Sequence, residues 1–193
     1  ASDFASVNNN TNGGDANLAA AANTTTNNIH DLCKLEFDFI PTGDTIQFNY
    51  RFGSEEYPTY NCSNYNDIFA FFLSGPGYAA PTNVALVPGT TIPVTINSIN
   101  NGTISAAGGG NLANCTNMGA GSPFTSLYVN NTSSTTITYN GLTAILTAKA
   151  AVTPCSTYHM KFAIADVQDH QYDSGVFLKA GSFTSDLATV TSV

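Results

Sequence analysis

"TIQFNYRF", residues 45–52, decides the fold. Ile46, Phe48, Tyr50 and Phe52 fall on one face, and Gln47, Asn49 and Arg51 on the other. A period of two marks a half-buried β-strand. The preceding "LEFDF" (35–39) repeats the pattern, with Leu35, Phe37 and Phe39 inward and Glu36 and Asp38 outward; "PTGD" between them is a turn. Downstream, "DIFAFFLSG" (67–75) is apolar on both faces. That pattern fits a central strand covered on both sides.

The remaining chain continues in short extended runs. "NVALVPG" (83–89) and "IPVTINSIN" (92–100) each end in turn residues, and "TYHMKFAIAD" (157–166) and "SGVFLKAGSF" (174–183) read as strands. Within "TTITYNGLTAILTAKA" (135–150), Asn140-Gly141 sits between two alternating runs and specifies a type I′ hairpin. Asn101-Gly102 suggests a second. Residues 16–22 form a short helix in an Asn/Ala/Thr-rich opening, and residues 108–123 a long loop. The expected class is all-β: an antiparallel, jelly-roll-like β-sandwich with long loops and at most two short helices. Three parts are expected: an N-terminal segment (1–30) packing on the domain, the sandwich (31–185), and a final strand or linker (186–193).

Only 9% of the 193 residues are charged, and five Lys+Arg stand against thirteen Asp+Glu. A net charge of −8 excludes nucleic acid and anionic membranes as partners, because little basic charge is present to neutralise phosphate. No apolar run is long enough to span a bilayer, and no signal-peptide pattern is visible. Four cysteines without zinc spacing point to disulfides and an oxidising, extracellular setting. They allow three connectivities, of which Cys62–Cys115 with Cys33–Cys155 is the expected one.

Acidic residues collect in two loops. One carries Glu55, Glu56 and Asp67; the other carries Asp166, Asp169 and Asp173. Each borders a strong strand. If those strands are neighbours, six carboxylates meet at one end of the sandwich, where uncompensated like charges are costly. A hard cation is the economical solution. Ca2+ takes six to eight oxygen ligands, and Asn61, Asn64, Asn66 and Gln168 offer more oxygens nearby. Mg2+ suits the set less well because it demands strict octahedral geometry. No EF-hand loop is present.

Tyr57, Tyr60, Tyr65 and Tyr172 crowd the same loops. They either pack the loop bases or form an aromatic ligand surface beside the ion. Catalytic readings are poorer. A Glu55 or Glu56 pair with an Asp would suit a glycoside hydrolase, but that also needs a pocket. Ser54 and Ser174 lack a nucleophile-elbow context. His30, His159 and His170 lack zinc-protease spacing. No enzyme is expected.

The runs "LEFDFIPTGDTIQFNYRFGSEEY", "CSNYNDIFAFFLSGPG", "NVALVPGTTIPVTINSIN" and "TYHMKFAIADVQDHQYDSGVFLKAGSF", with "GDANL" at 14–18, resemble the choice-of-anchor L domain from about residue 14 to 183. The resemblance implies a module of large secreted surface proteins of Bacteroidota, often exported by type IX secretion. It implies adhesion or filament assembly, not a ligand. Members usually carry further strands upstream of the "GDANL"-like turn. The resemblance therefore raises the expectation that a neighbouring subunit or domain completes the sheet by strand complementation. A glycan is the alternative partner.

Overall fold

The computed structural model describes residues 14–186. It is an antiparallel sandwich of two sheets, as the alternation predicts. In the first, β1 (Ile29–Phe39), β8 (Tyr158–Val167), β3 (Ile68–Gly75) and β4 (Tyr78–Asn83) lie in that order. The second is built around β2 (Thr45–Ser54). Along one edge β2 pairs with β7 (Leu146–Ala151) and then β6 (Gly141–Thr143); along the other it pairs with β10 (Thr184–Asp186) and then β9 (Ser174–Leu178). The short β5 (Tyr128–Asn130) adds to β6.

The inward residues of β2 are Ile46, Phe48, Tyr50 and Phe52, all buried. They meet Phe69, Phe71 and Leu73 of β3 and Met160 of β8. Tyr50 and Phe71 meet edge to face with centroids 5.0 Å apart, the geometry that ring quadrupoles favour. The other face of β3 is buried too. Ile68, Ala70 and Phe72 pack against Leu18 and Ala19 of α1 (Ala16–Ala21), with Ala22 just past its end. The helix explains why "DIFAFFLSG" is apolar on both faces. Asp15 caps α1: its Oδ1 accepts from the N–H groups of Asn17 and Leu18. Its Oδ2 accepts from Lys161 Nζ of β8 at 2.6 Å, and that ammonium lies 4.8 Å from the centre of the Phe72 ring.

Several local expectations are corrected. Asn140-Gly141 is no hairpin turn: Gly141 pairs with Asn130, and residues 131–140 form the connection. A Cβ at Gly141 would meet Tyr57 and Tyr128 at 2.6 Å, so this glycine serves close packing rather than a positive φ. Asn101-Gly102 does turn, with Gly102 at φ +78°, but no strands flank it. Residues 84–100 place Ala85, Val87, Val94 and Ile96 in the core, yet they pair only at the isolated bridges Leu86–Pro93 and Ile68–Thr95. Pro88 and Pro93 remove the donors a regular ladder needs. Leu35 is 55% exposed because β1 is an edge strand, whereas Phe37 and Phe39 are half-buried against Phe183.

Cys62 and Cys115 form a disulfide that ties the loop before β3 to α2 (Leu112–Thr116). Cys33 and Cys155 do not; both are free and exposed. Cys33 sits in mid-β1 opposite Ile164, while the Cys155 N–H donates to the Pro41 carbonyl beyond the end of that strand. Eight residues of extended chain separate the two levels by roughly 25 Å, far outside bridging distance.

Candidate functional site

Strand register brings the two acidic loops together. Ser54 at the end of β2 pairs with Ser174 at the start of β9, and the next N–H, of Glu55, donates to the Asp173 carbonyl at 3.1 Å. In the facing sheet Ile68 pairs with Ala165, which sets Asp67 beside Asp166 and Val167. The Val167 N–H donates to Asp67 Oδ1 at 3.1 Å, and Ser174 Oγ donates to Oδ2 at 2.6 Å. Asp67 thus links the two sheets. The third contribution comes from β1, where His30 pairs with Asp166 and the register shifts between His30 and Cys33. Asp31 lies in that bulge at φ 48°, an uncommon conformation for a non-glycine residue.

The carboxylates are deeply buried: Asp67 is 0% exposed, Glu56 1%, Glu55 2% and Asp166 5%. Burial, above all, raises the pKa values of Glu56, Asp67 and Asp166. Mutual repulsion adds to it: Asp67, Asp169 and Asp166 act on Glu56, and Asp67, Asp173, Asp31 and Asp169 act on Asp166. At Asp67 the bonds from Ser174 and Val167 pull the other way without cancelling the burial. Asp169 is raised as well, less sharply, since the Gln171 N–H and His170 and His30 offset its burial.

Compensation is sparse. Among the described residues, no Lys or Arg forms an ion pair with Glu56, Asp67, Asp166 or Asp169; the one such pair to Lys161 is made by Asp15. His170 Nδ1 stands 3.1 Å from Asp31 Oδ2, and its ring lies 4.1 Å from that of His30. Both oxygens of Glu56 and Oδ2 of Asp166 are buried with no hydrogen-bond partner. A small cavity of about 190 Å³ opens here, lined by Asp31, Asp166, Asp173, Ser174 and Tyr139 among others. Among the described residues, no three His, Cys, Asp or Glu side chains already form a compact ligand group. Coordination would require rotamer changes in this set.

The six expected carboxylates are therefore gathered at one end, Asp67, Glu56 and Glu55 most deeply. Tyr57 is not a surface residue: it is 0% exposed, and its hydroxyl donates to the Ile99 carbonyl at 2.6 Å. Tyr60, Tyr65 and Tyr172 do form a half-buried cluster, with Tyr60 5.3 Å from Tyr65 and 5.1 Å from Tyr172. A hydrogen bond with Tyr172 pushes the Tyr60 hydroxyl up to about 12. Asn64, Asn66 and Gln168 line a different cavity. The Asn61 amide donates to Asn101 Oδ1. Asp31, His30, Ser174 and Tyr139 were not in the expected acidic set. Asp31 lies in a run of strand residues, and nothing in its spacing reveals the bulge.

No helix among the described residues is long and apolar enough to cross a membrane. No curated protein and no solved structure matches the chain. A match to the choice-of-anchor L domain extends over residues 1–184, which makes the protein one of secreted or cell-surface type, and the chain belongs to that family.

Proposed function

We propose that the chain is a non-catalytic surface module whose acidic end binds Ca2+, and that the braced loops serve adhesion or subunit assembly at a bacterial surface. The carrying observation is Glu56, 1% exposed with neither oxygen hydrogen-bonded, beside Asp67 and Asp166. A protein seldom leaves such a group orphaned, because its desolvation is uncompensated. A hard divalent cation would satisfy Glu56, Asp67, Asp166, Asp169 and Asp173 at once, with Glu55 and Asp31 at the margin. The same burial speaks against a glycoside hydrolase: Glu56 and Asp67 are sealed from any glycosidic oxygen. For assembly, the edge strand β1, with exposed Leu35 within it and exposed Ile40 at its end, is the place where a neighbour's strand would add.

A second reading, a glycan-binding module, draws on the half-buried ring cluster Tyr60, Tyr65 and Tyr172.

Terbium luminescence tests the cation reading. Tb3+ takes calcium's oxygen ligands, and Tyr139 lines the cavity to sensitise it. The expected result is saturable emission that Ca2+ displaces, that equal Mg2+ does not, and that E56Q/D166N loses. Emission that never saturates, or that survives in E56Q/D166N, contradicts the proposal.

A further inference from the structure

A second cavity, about 360 Å³, lies between the end of α1 and the loops around residues 63–66, 93–97 and 114–118. Among the described residues its lining includes six asparagines, one glutamine, one serine and one threonine, and no Asp, Glu, Lys, Arg or His. Seven of its fourteen described lining residues carry a primary amide. Each primary amide presents two donors and an acceptor oxygen, the same mixed pattern that vicinal hydroxyls present from the other side. Ala21, Ala22, Met118 and Val167 supply an apolar floor for C–H faces.

One polar atom of a lining residue is unsatisfied. Asn97 is 3% exposed, and its Nδ2 donates to the Ser63 carbonyl at 2.9 Å, which fixes the orientation of the amide. Its Oδ1 is then buried with no partner. Asn66 offers a spare donor, since its Nδ2 has only a long contact, 3.6 Å, with Met118 Sδ. The wall is also held in place. The Cys62–Cys115 disulfide joins two of its loops, and Asn114 Nδ2 donates to the Cys62 carbonyl at 2.9 Å. Preformed walls lower the entropy lost on binding, and the volume falls in the range of small-molecule sites, about 300–1,000 Å³.

We infer that this amide-lined cavity, with Asn97 Oδ1 as its buried acceptor, is a binding site for a neutral sugar unit. The inference deepens the glycan reading by placing it away from the tyrosine cluster, and it does not depend on the cation. Neutral selectivity follows from the lining, which among the described residues has no cation to pair with a uronate or sialate, and from the net charge of −8. With no aromatic platform among the described lining residues, affinity for a single ring is weak, in the millimolar range, and repeated modules on a surface would raise it by avidity.

The test is a ¹⁵N NMR titration that follows the side-chain amide signals of Asn64, Asn97 and Asn114. Glucose, galactose, mannose and N-acetylglucosamine are the probes; glucuronate, glycerol and a capped glycine dipeptide are the comparisons. The inference expects saturable shifts at these amides with at least one neutral sugar, and weaker or no shifts with every comparison compound. It expects the affinity to fall about tenfold or more in N64A/N117A, whose changes are at exposed positions and leave the fold intact, and to vanish in N97A. No shift with any of the four sugars overturns it, as do shifts matched by glycerol or glucuronate, and so does binding undiminished in N64A/N117A. Dipeptide binding without sugar binding replaces it with a peptide site. Sugar-induced shifts at Tyr60, Tyr65 and Tyr172 alone overturn this site and keep the glycan reading. None of these outcomes bears on calcium.

Discussion

Ser174 Oγ donates a 2.6 Å hydrogen bond to Asp67 Oδ2, across from one sheet of the sandwich to the other. The Val167 N–H holds the second oxygen of the same carboxylate. Asp67 is thus both a structural tie and the centre of the acidic cluster, and substitutions separate the two roles. D67A orphans both donors and should destabilise the domain by about 1–3 kcal/mol per donor. D67N keeps an acceptor and cannot ionise. It should unfold in EDTA no earlier than the parent chain while losing most of its response to calcium. Denaturant unfolding of the two variants, with and without the ion, checks this.

The raised carboxylates set a pH dependence. Glu56, Asp67 and Asp166 hold protons in the folded state that the unfolded chain has already released above its ordinary range of about 4. The folded state then binds more protons, so stability falls as pH rises from about 4 upward. In EDTA the melting temperature should be higher at pH 5 than at pH 8. Calcium should flatten or reverse that slope, because it substitutes for the protons. A melting temperature in EDTA that rises across this interval would contradict the assignment.

Lys161 tests the far side of β3. Its ammonium is bonded to Asp15 Oδ2 and Asn17 Oδ1 and is almost entirely buried. D15A removes both the counter-ion and the cap of α1, and should cost about 3–5 kcal/mol. K161M in the D15A background should recover part of that loss, because no buried charge is then left unpaired. Thermal unfolding of the single and double variants reads this out.

The cysteines give a direct chemical check. Native protein should titrate two thiols, Cys33 and Cys155, and four after reduction and unfolding. C62S/C115S opens a loop spanning 53 positions and should cost about 4 kcal/mol on the chain-entropy account. Loss of sugar-induced shifts at Asn114 should accompany it, since that disulfide braces the amide-lined cavity.

Alternation made the core legible. Ile46, Phe48, Tyr50 and Phe52 point inward as their spacing requires, and the doubly apolar β3 correctly announced a cover on each face. The acidic end was legible only as a condition, that the loops meet if their strands are neighbours; the register of β2 with β9 and of β3 with β8 supplies it. What failed was local chemistry outvoted by tertiary packing. Gly141 looked like a turn glycine and is a close-contact glycine against Tyr57 and Tyr128. Cys33 and Cys155 do not pair: an even cysteine count says nothing of where Cys155 lies relative to Cys33 on β1. Asp31 was invisible because a bulge leaves no spacing signature, and the amide cavity because its asparagines are scattered from Asn23 to Asn117.

The central claim is that the gathered carboxylates hold calcium, and thermal unfolding tests it most directly. The purified domain is melted in EDTA, then with Ca2+ restored, then with Mg2+ instead. The account predicts a rise of several degrees with calcium, by mass action on the folded state. Magnesium should not reproduce it, and E56Q/D166N should abolish it. An unchanged melting temperature at millimolar calcium, or an equal rise in E56Q/D166N, would contradict the account.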